Sequence, residues 1–180
     1  MAEGMNAGKL IKRFLIPAMV VSIYYYLKEG CFVSPKAEVE LNRNLRIGAK
    51  SIVSSFTKIK AINGPLRIGS HVHISTGCEI NSGPGGVSIG DDCMLGSNVS
   101  VIGSNYRYDS LDTPIRLQGV SSKGIEIGNN VWIGSGARIL DGSIIGKASI
   151  ITPNSVVSAK IPENSIVQGN PARIIFTRRS

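Results

Sequence analysis

The sequence predicts an all-β solenoid of about five coils, with an N-terminal helical cap, one long inserted loop and a short C-terminal tail. Three observations carry this expectation. Fifteen six-residue units run from Ile47 to about Pro162, and each opens on an aliphatic residue, from Ile47, Val53 and Ile59 through to Ile145, Ile151 and Val157. Most of the fifth positions, among them Ser51, Thr57, Cys78, Cys93, Ala137, Ser143, Ser149 and Ser155, are small. The departures from a spacing of six all fall at one phase of an eighteen-residue coil.

A six-residue unit cannot bury its own apolar face and must stack on copies of itself. The period is too short for a helix pair, so each unit is one short strand plus a turn. Side chains alternate along a strand, so an aliphatic first residue and a small fifth residue both face inward, the latter where a tight corner leaves little room. Three units make one coil of a three-sided prism. Three extra residues separate Ile59 from Ile68, three more separate Ile80 from Ile89, and twenty separate Val101 from Ile127. All three insertions therefore emerge at one edge. Strands stacked about 4.8 Å apart make five coils a rod on the order of 25 Å long.

Taken in chain order, residues 1–30 are expected to form the helical cap. The uncharged stretch from Phe14 to Leu27 is 14 residues long, short of the roughly 20 needed to span a bilayer, and no small-residue cleavage site follows it. A helix kinked near Pro17 would cover the open end of the prism and block edge pairing. Lys9, Lys12 and Arg13, ahead of an apolar run that ends in Tyr24, Tyr25 and Tyr26, suit a second and compatible role, a peripheral contact with a membrane surface. Residues 31–162 form the solenoid. Its inserted loop, 103–124, holds the densest polar constellation of the chain: Ser104, Asn105, Tyr106, Arg107, Tyr108, Asp109, Asp112, Arg116 and Gln118. A loop this long on a compact scaffold is usually functional. Residues 163–180 form a basic tail.

Composition narrows the function. The formal net charge is +8, which suits an acidic lipid or a phosphorylated ligand, but no RNA-binding signature or basic block with interleaved aromatics is present, so nucleic acid is not expected. Cys31, Cys78 and Cys93 contain no C-x-x-C pair, and two of them occupy small positions of the repeat. They read as core residues of a cytoplasmic protein. Only His71 and His73 supply imidazoles, so no metal is expected; the carbonic anhydrases built on this kind of helix use three His ligands for one metal, in line with catalytic zinc sites.

The run G-I-E-I-G-N-N-V-W-I-G-S-G-A-R-I-L-D-G-S-I-I-G (124 to 146), with S-V-V (155 to 157), I-P (161 to 162) and V-Q-G-N-P-A-R-I-I (167 to 175), resembles the hexapeptide-repeat O-acetyltransferases. That family includes the maltose, thiogalactoside and polysaccharide O-acetyltransferases and is similar in fold to serine acetyltransferase. The resemblance covers about residues 31 to 178. It implies a left-handed parallel β-helix, a homotrimer, and acyl transfer from acetyl-CoA bound in clefts between neighbouring subunits to a sugar or a cell-surface glycan precursor.

In that family the inserted loop opens with a catalytic His, the general base that removes the acceptor's proton. Aligned through C-M-L-G-S-N-V-S-V-I-G-S-N-Y, this sequence carries Tyr106 there. A phenol with a reference pKa of about 10 is a poor base near neutrality, so proton removal passes to His73 of a neighbouring subunit or to Asp109. Tyr106 then positions the acceptor or hydrogen-bonds the thioester oxygen. Thr76, near the acceptor-binding position of the sugar acetyltransferases, and the loop residues Asn105 and Arg107 are the expected acceptor contacts. For the donor, the resemblance carries over Ser135, the Pro153-Asn154 turn, Ser158 and Arg173, with Lys160 supplying a charge that relatives place one residue earlier. Arg pairs well with the phosphates of CoA. The alternative is a non-catalytic trimer that binds CoA or a glycan after losing the base. Transfer to nucleotide sugars fits less well, because the β-helix enzymes that do this also depend on a loop or coil His.

Overall fold

In the computed structural model, which describes residues 16–179, the chain winds into a three-sided parallel β-helix of the left-handed type. The first face stacks Phe32–Val33, Ile52–Val53, His73–Ile74, Met94–Leu95, Trp132–Ile133, Ile150–Ile151 and Ser165–Gly169. The second stacks Glu38–Val39, Lys58–Ala61, Glu79–Ser82, Ser100–Ile102, Arg138–Leu140 and Val156–Val157. The third stacks Leu45–Ile47, Leu66–Ile68, Val87–Ile89, Ile125–Ile127, Ile144–Ile145 and Lys160–Ile161. Every pairing within these stacks is parallel and in register, for example Val53 beside Ile74 and Ile80 beside Val101.

The aliphatic first positions form the column the period predicts. Ile47, Ile59, Ile74, Ile80, Val101, Ile133, Ile139 and Ile151 are all fully buried, and burying each such side chain contributes about 1.5–3 kcal/mol. The column is longer than the fifteen units. Val33 and Val39 precede Ile47, and Ile161 and Val167 follow Val157, all buried. The period hides them because the step from Val39 to Ile47 is eight residues and that from Val157 to Ile161 is four. Both irregular steps fall at the edge between the second and third faces, where the three insertions also emerge.

The small fifth positions do more than fit. Ser51 Oγ donates to the Gly69 carbonyl at 2.8 Å and accepts from Val72 N–H at 3.0 Å, and Thr57 Oγ1 donates to the Ser75 carbonyl at 2.9 Å. Ser149 repeats the pattern with the Pro162 carbonyl, and the Cys78 and Cys93 thiols reach the Gly96 and Gly128 carbonyls, each at 3.1 Å. Each hydroxyl or thiol thus ties one coil to the next inside the corner, where a buried carbonyl needs a partner. Burial raises the pKa of all three thiols. That suits packing rather than nucleophilic chemistry.

At the start of the rod, helix α1 (Ala18–Glu29) follows Pro17, which occupies the N-cap. Pro17 therefore opens this helix instead of kinking it, since its fixed φ and missing N–H are tolerated there. Gly30 ends the helix in the left-handed region at φ 68°, its N–H bonded to the Tyr26 carbonyl. The helix packs on the strands Phe32–Val33 and Leu45–Ile47, and the buried Tyr25 donates its hydroxyl to the Glu40 carbonyl at 2.6 Å. It thereby covers the first coil, whose three strands are the outermost of their sheets. Lys9, Lys12, Arg13 and Phe14 lie outside the described residues. Among the described residues no helix is long and apolar enough to cross a membrane.

At the other end, Ala172–Thr177 returns antiparallel to Ser165–Gly169. The Gly169-Asn170-Pro171-Ala172-Arg173 segment is the turn of this hairpin, and it leans on the last corner through Gly169 N–H to Ser155 Oγ at 3.1 Å.

Candidate active site

The three faces differ in what they present outward. On the first, the outward ladder runs Phe32, Ile52, His73, Met94, Trp132 and the half-buried Ile150 in consecutive register. Phe32, Ile52, Met94 and Trp132 are each 44–56 % exposed. The second face instead presents Glu38, Lys58, Glu79, Ser100 and Arg138. The third presents Arg46, Arg67, Ser88, Glu126, Ile144 and Lys160. Two faces are mostly polar outward, with Val156 and Ile144 as apolar rungs, and one is mostly apolar. His73 is the sole ionisable rung in that apolar ladder.

The inserted loop leaves the edge between the second and third faces and is fastened there from both sides. Ser122 Oγ donates to the Gly103 carbonyl and accepts from Gly85 N–H at 2.9 Å. The Asp141 carboxylate, one coil on, accepts Lys123 N–H at 2.8 Å and Gly124 N–H at 2.9 Å. Gly83 lies under this exit, where a Cβ would come within 2.3 Å of the Gly103 carbonyl oxygen, so no larger residue fits without moving backbone. Gly124, where the loop rejoins the coil, sits at φ 89°, a conformation side chains oppose.

Inside the loop, Asn105–Tyr106 pairs antiparallel with Val120–Ser121. Gln118 binds across the tip, accepting from Ser110 N–H and donating to the Ser110 and Thr113 carbonyls at 2.8 and 2.7 Å. Arg107 Nε holds the Asp109 carboxylate at 3.1 Å. The loop is thus ordered by its own polar groups, while Tyr106, Tyr108, Leu111, Ile115, Leu117 and Val120 are half to fully exposed.

At the loop's root an open cleft of about 500 Å³ is lined by Asn105, Tyr106, Tyr108, Ser121, Lys123 and Asp141. A second groove, of about 390 Å³, runs over the third face past Arg67, Ser88, Glu126, Ile144 and Lys160. Lys123 lines both, and joins them. Sequence reasoning missed Lys123 and Asp141. The available signal was the coil length itself, since residue 141 lies eighteen after residue 123 and one coil of stacking brings such positions together.

The expected site residues fall into separate groups within one chain. Asn105 and Tyr106 share the root cleft, and Lys160 meets it through the groove at Lys123. Arg107 and Asp109 pair with each other on the exposed loop. Ser158 lies on the same edge, between the last strands of the second and third faces. Thr76, Ser135 and Pro153 instead lie on the edge between the first and second faces, Thr76 two coils before Ser135, while Ser135 and Pro153 belong to neighbouring coils linked by Asn154 N–H to the Ser135 carbonyl at 3.0 Å. The hairpin turn before Arg173 continues that edge, and the Arg173 guanidinium donates to the Ala172 carbonyl at 3.2 Å. His73 is on the first face and Tyr106 on the opposite edge, so a single chain does not bring them together. His71 sits in a corner at φ 56°, with Nδ1 3.6 Å from the Asp92 carboxylate. Among the described residues no three His, Cys, Asp or Glu side chains are placed to share a metal ion.

Comparisons with known proteins agree with this architecture. Residues 124–159 match the family model described as bacterial transferase hexapeptide (six repeats). An Escherichia coli protein assigned to lipopolysaccharide biosynthesis as an O-acetyl transferase, WbbJ, is 25 % identical over 175 residues, covering 93 % of this chain and 86 % of its own. Galactoside O-acetyltransferase of Escherichia coli is 40 % identical over 92 residues, 49 % of this chain and 43 % of that protein. The chain spans about half the length of most of the curated relatives it matches. Among solved structures, AntD, an N-acyltransferase from Bacillus cereus in complex with dTDP and coenzyme A, superposes with a TM-score of 0.75 at 20 % identity, over 87 % of this chain and 88 % of that one. With its six-residue column, single-edge insertions and matched C-terminal coils, the chain is a hexapeptide-repeat β-helix similar to the acetyltransferases built on that repeat.

Proposed function

We propose that this protein transfers an acyl group from acyl-CoA to a hydroxyl of a sugar or cell-surface glycan precursor, as a homotrimer whose sites lie between subunits. The observation that carries the reading is the outward ladder of the first face. Five apolar rungs around His73 favour cover by a neighbouring subunit, and a cyclic arrangement supplies that cover by setting one subunit's face against another's loop edge. The exposed Tyr106, Tyr108 and Leu111 then have a surface to meet. The names of WbbJ and galactoside O-acetyltransferase support a glycan or sugar acceptor.

In this reading the donor lies along the edge of Ser135 and Pro153. Backbone N–H and C=O groups of stacked corners hold the pantetheine amides, and Arg173 pairs with a CoA phosphate. Ser158 and Lys160, at the other edge, serve the donor bound against the neighbouring subunit. Thr76, Asn105 and Arg107 orient the acceptor. Its hydroxyl oxygen attacks the thioester carbonyl as His73 of the neighbour takes the proton, and Tyr106 donates a hydrogen bond to the carbonyl oxygen as negative charge gathers there. Collapse of the tetrahedral intermediate breaks the C–S bond. CoA leaves as its thiol after the proton returns from the imidazole. Asp109, already engaged by Arg107, is the next candidate for the base.

The test follows CoA release by the pure protein against a panel of sugars and glycan precursors. Acceptor-dependent release supports the reading; His73→Ala then lowers turnover roughly 100- to 10,000-fold, as expected for a lost general base, and Tyr106→Phe lowers it modestly. Tyr106→His restores the family's residue and raises the rate. A second reading, a trimer that binds CoA or a glycan without turnover, is favoured by Tyr106 itself. It gains the field if CoA binds but neither the native chain nor Tyr106→His releases it.

A further inference from the structure

We propose that the α1 end of the rod docks on an anionic lipid surface. The inner side of α1 is spent on the protein, through the buried Tyr25 and the partly buried Val21. The side facing away carries Met19, Ile23 and Leu27 at successive helical turns, 64 %, 52 % and 77 % exposed. Because α1 lies across the first coil, this stripe faces along the rod rather than out from one of its sides.

Charge surrounds the same end. The coil beneath the helix turns three corners, and each carries an exposed cation: Lys36 between the first- and second-face strands, Arg43 between the second and third, and Lys50 where the chain returns to the first. Lys50 N–H bonds the Gly30 carbonyl at 2.8 Å, so that corner abuts the end of the helix. None of the three pairs with a carboxylate among the described residues, whereas the nearby Glu29 is held by Arg46 at 2.9 Å and Glu38 by Lys60 at 3.5 Å. An apolar stripe ringed by cations that meet no carboxylate among the described residues complements acyl chains beneath a negative headgroup layer. A second protein copy would set these cations against one another. The proposal does not depend on the acyl-transfer reading.

The experiment is flotation of the full chain with vesicles of phosphatidylcholine alone or mixed with phosphatidylglycerol. The native chain should float with the mixed vesicles and lose binding as salt is raised. Lys36→Gln/Arg43→Gln/Lys50→Gln and, separately, Met19→Ser/Ile23→Ser/Leu27→Ser should each lower the partition coefficient by at least about tenfold, as each basic residue at such a surface contributes several-fold. These side chains are exposed, so both variants should melt with the native chain. No flotation of the native chain, or flotation undiminished by both triple substitutions, overturns the proposal. So does a native chain that stays unbound while Leu27→Cys cross-links to a second copy, which would assign the stripe to self-association.

Discussion

The coils and the inserted loop obey opposite rules. In the coils most stabilising bonds join residues about eighteen positions apart, such as Ser51 to Gly69 and Thr57 to Ser75, and most apolar side chains turn inward, the first-face ladder being the main exception. In the loop the bonds are local, from Gln118 back to Ser110 and Thr113 and from Arg107 to Asp109, and the apolar side chains turn outward. The coil is a stack in which each layer holds its neighbours. The loop holds itself and offers its apolar surface elsewhere. A segment can therefore be well ordered and still contribute little to the stability of its own chain.

Truncating the column is the most severe way to probe this contrast. Ile139, fully buried beside Val101, should cost about 2–5 kcal/mol when changed to Ala, measured by urea unfolding. Leu111→Ala, at the exposed loop tip, should stay within about 0.5 kcal/mol under conditions where the chain is monomeric. A comparable loss for both would mean that the loop is part of the core after all.

Ser51→Ala comes next. It removes a partner from both the Gly69 carbonyl and Val72 N–H, and should cost about 1–3 kcal/mol in the same measurement. Gln118→Ala should leave the global transition almost unmoved and instead speed proteolysis within residues 104–121, with local opening eased by about 1 kcal/mol.

The smallest effect is an alkaline pH dependence to which the cap contributes alongside the buried thiols of Cys78 and Cys93. Burial pushes the Cys31 thiol up to about 11 and raises the Tyr25 phenol further still. The folded state keeps these protons to higher pH than the unfolded one, so the stability they reflect is complete below about pH 8.5 and declines as pH rises through the folded-state values. Thermal melts should fall between about pH 9 and 11, and Cys31→Ala should flatten the lower part of that fall.

Much of the scaffold was legible because a single period governs it. The inward column, the three-sided coil and the common edge for every insertion all follow from the spacing of Ile, Val and Leu. The period alone does not reach the first coil, which enters through the resemblance over residues 31 to 178, or the final first-face strand, because the steps at Val39 and Val157 break it where the chain happens to be longer or shorter. The hydroxyl bonds were hidden for another reason: Ser at a fifth position reads simply as small until the carbonyl above it is known. At the candidate site, Tyr106 was visible through its place in a recognisable loop. Lys123 and Asp141 were not, since their meeting depends on coil stacking rather than on any motif.

The six residues from one aliphatic position to the next never vary across two of the edges, as from Val53 to Ile59 or from Ile68 to Ile74, while the third edge admits steps of four to twenty-six residues. Length changes at that edge shift no residue of the column, and closing a longer loop there costs only about 0.6 kcal/mol per doubling. Ser135 and Pro153 stand on an invariant edge and Tyr106 on the permissive one. Under the proposed roles, the donor contacts at Ser135 and Pro153 are therefore insulated from remodelling of the inserted loop, whereas Ser158 and Lys160 share the loop's edge. Variation in what the scaffold modifies would proceed by insertion and deletion at a single corner, leaving the grip of the opposite edge on the acyl carrier untouched.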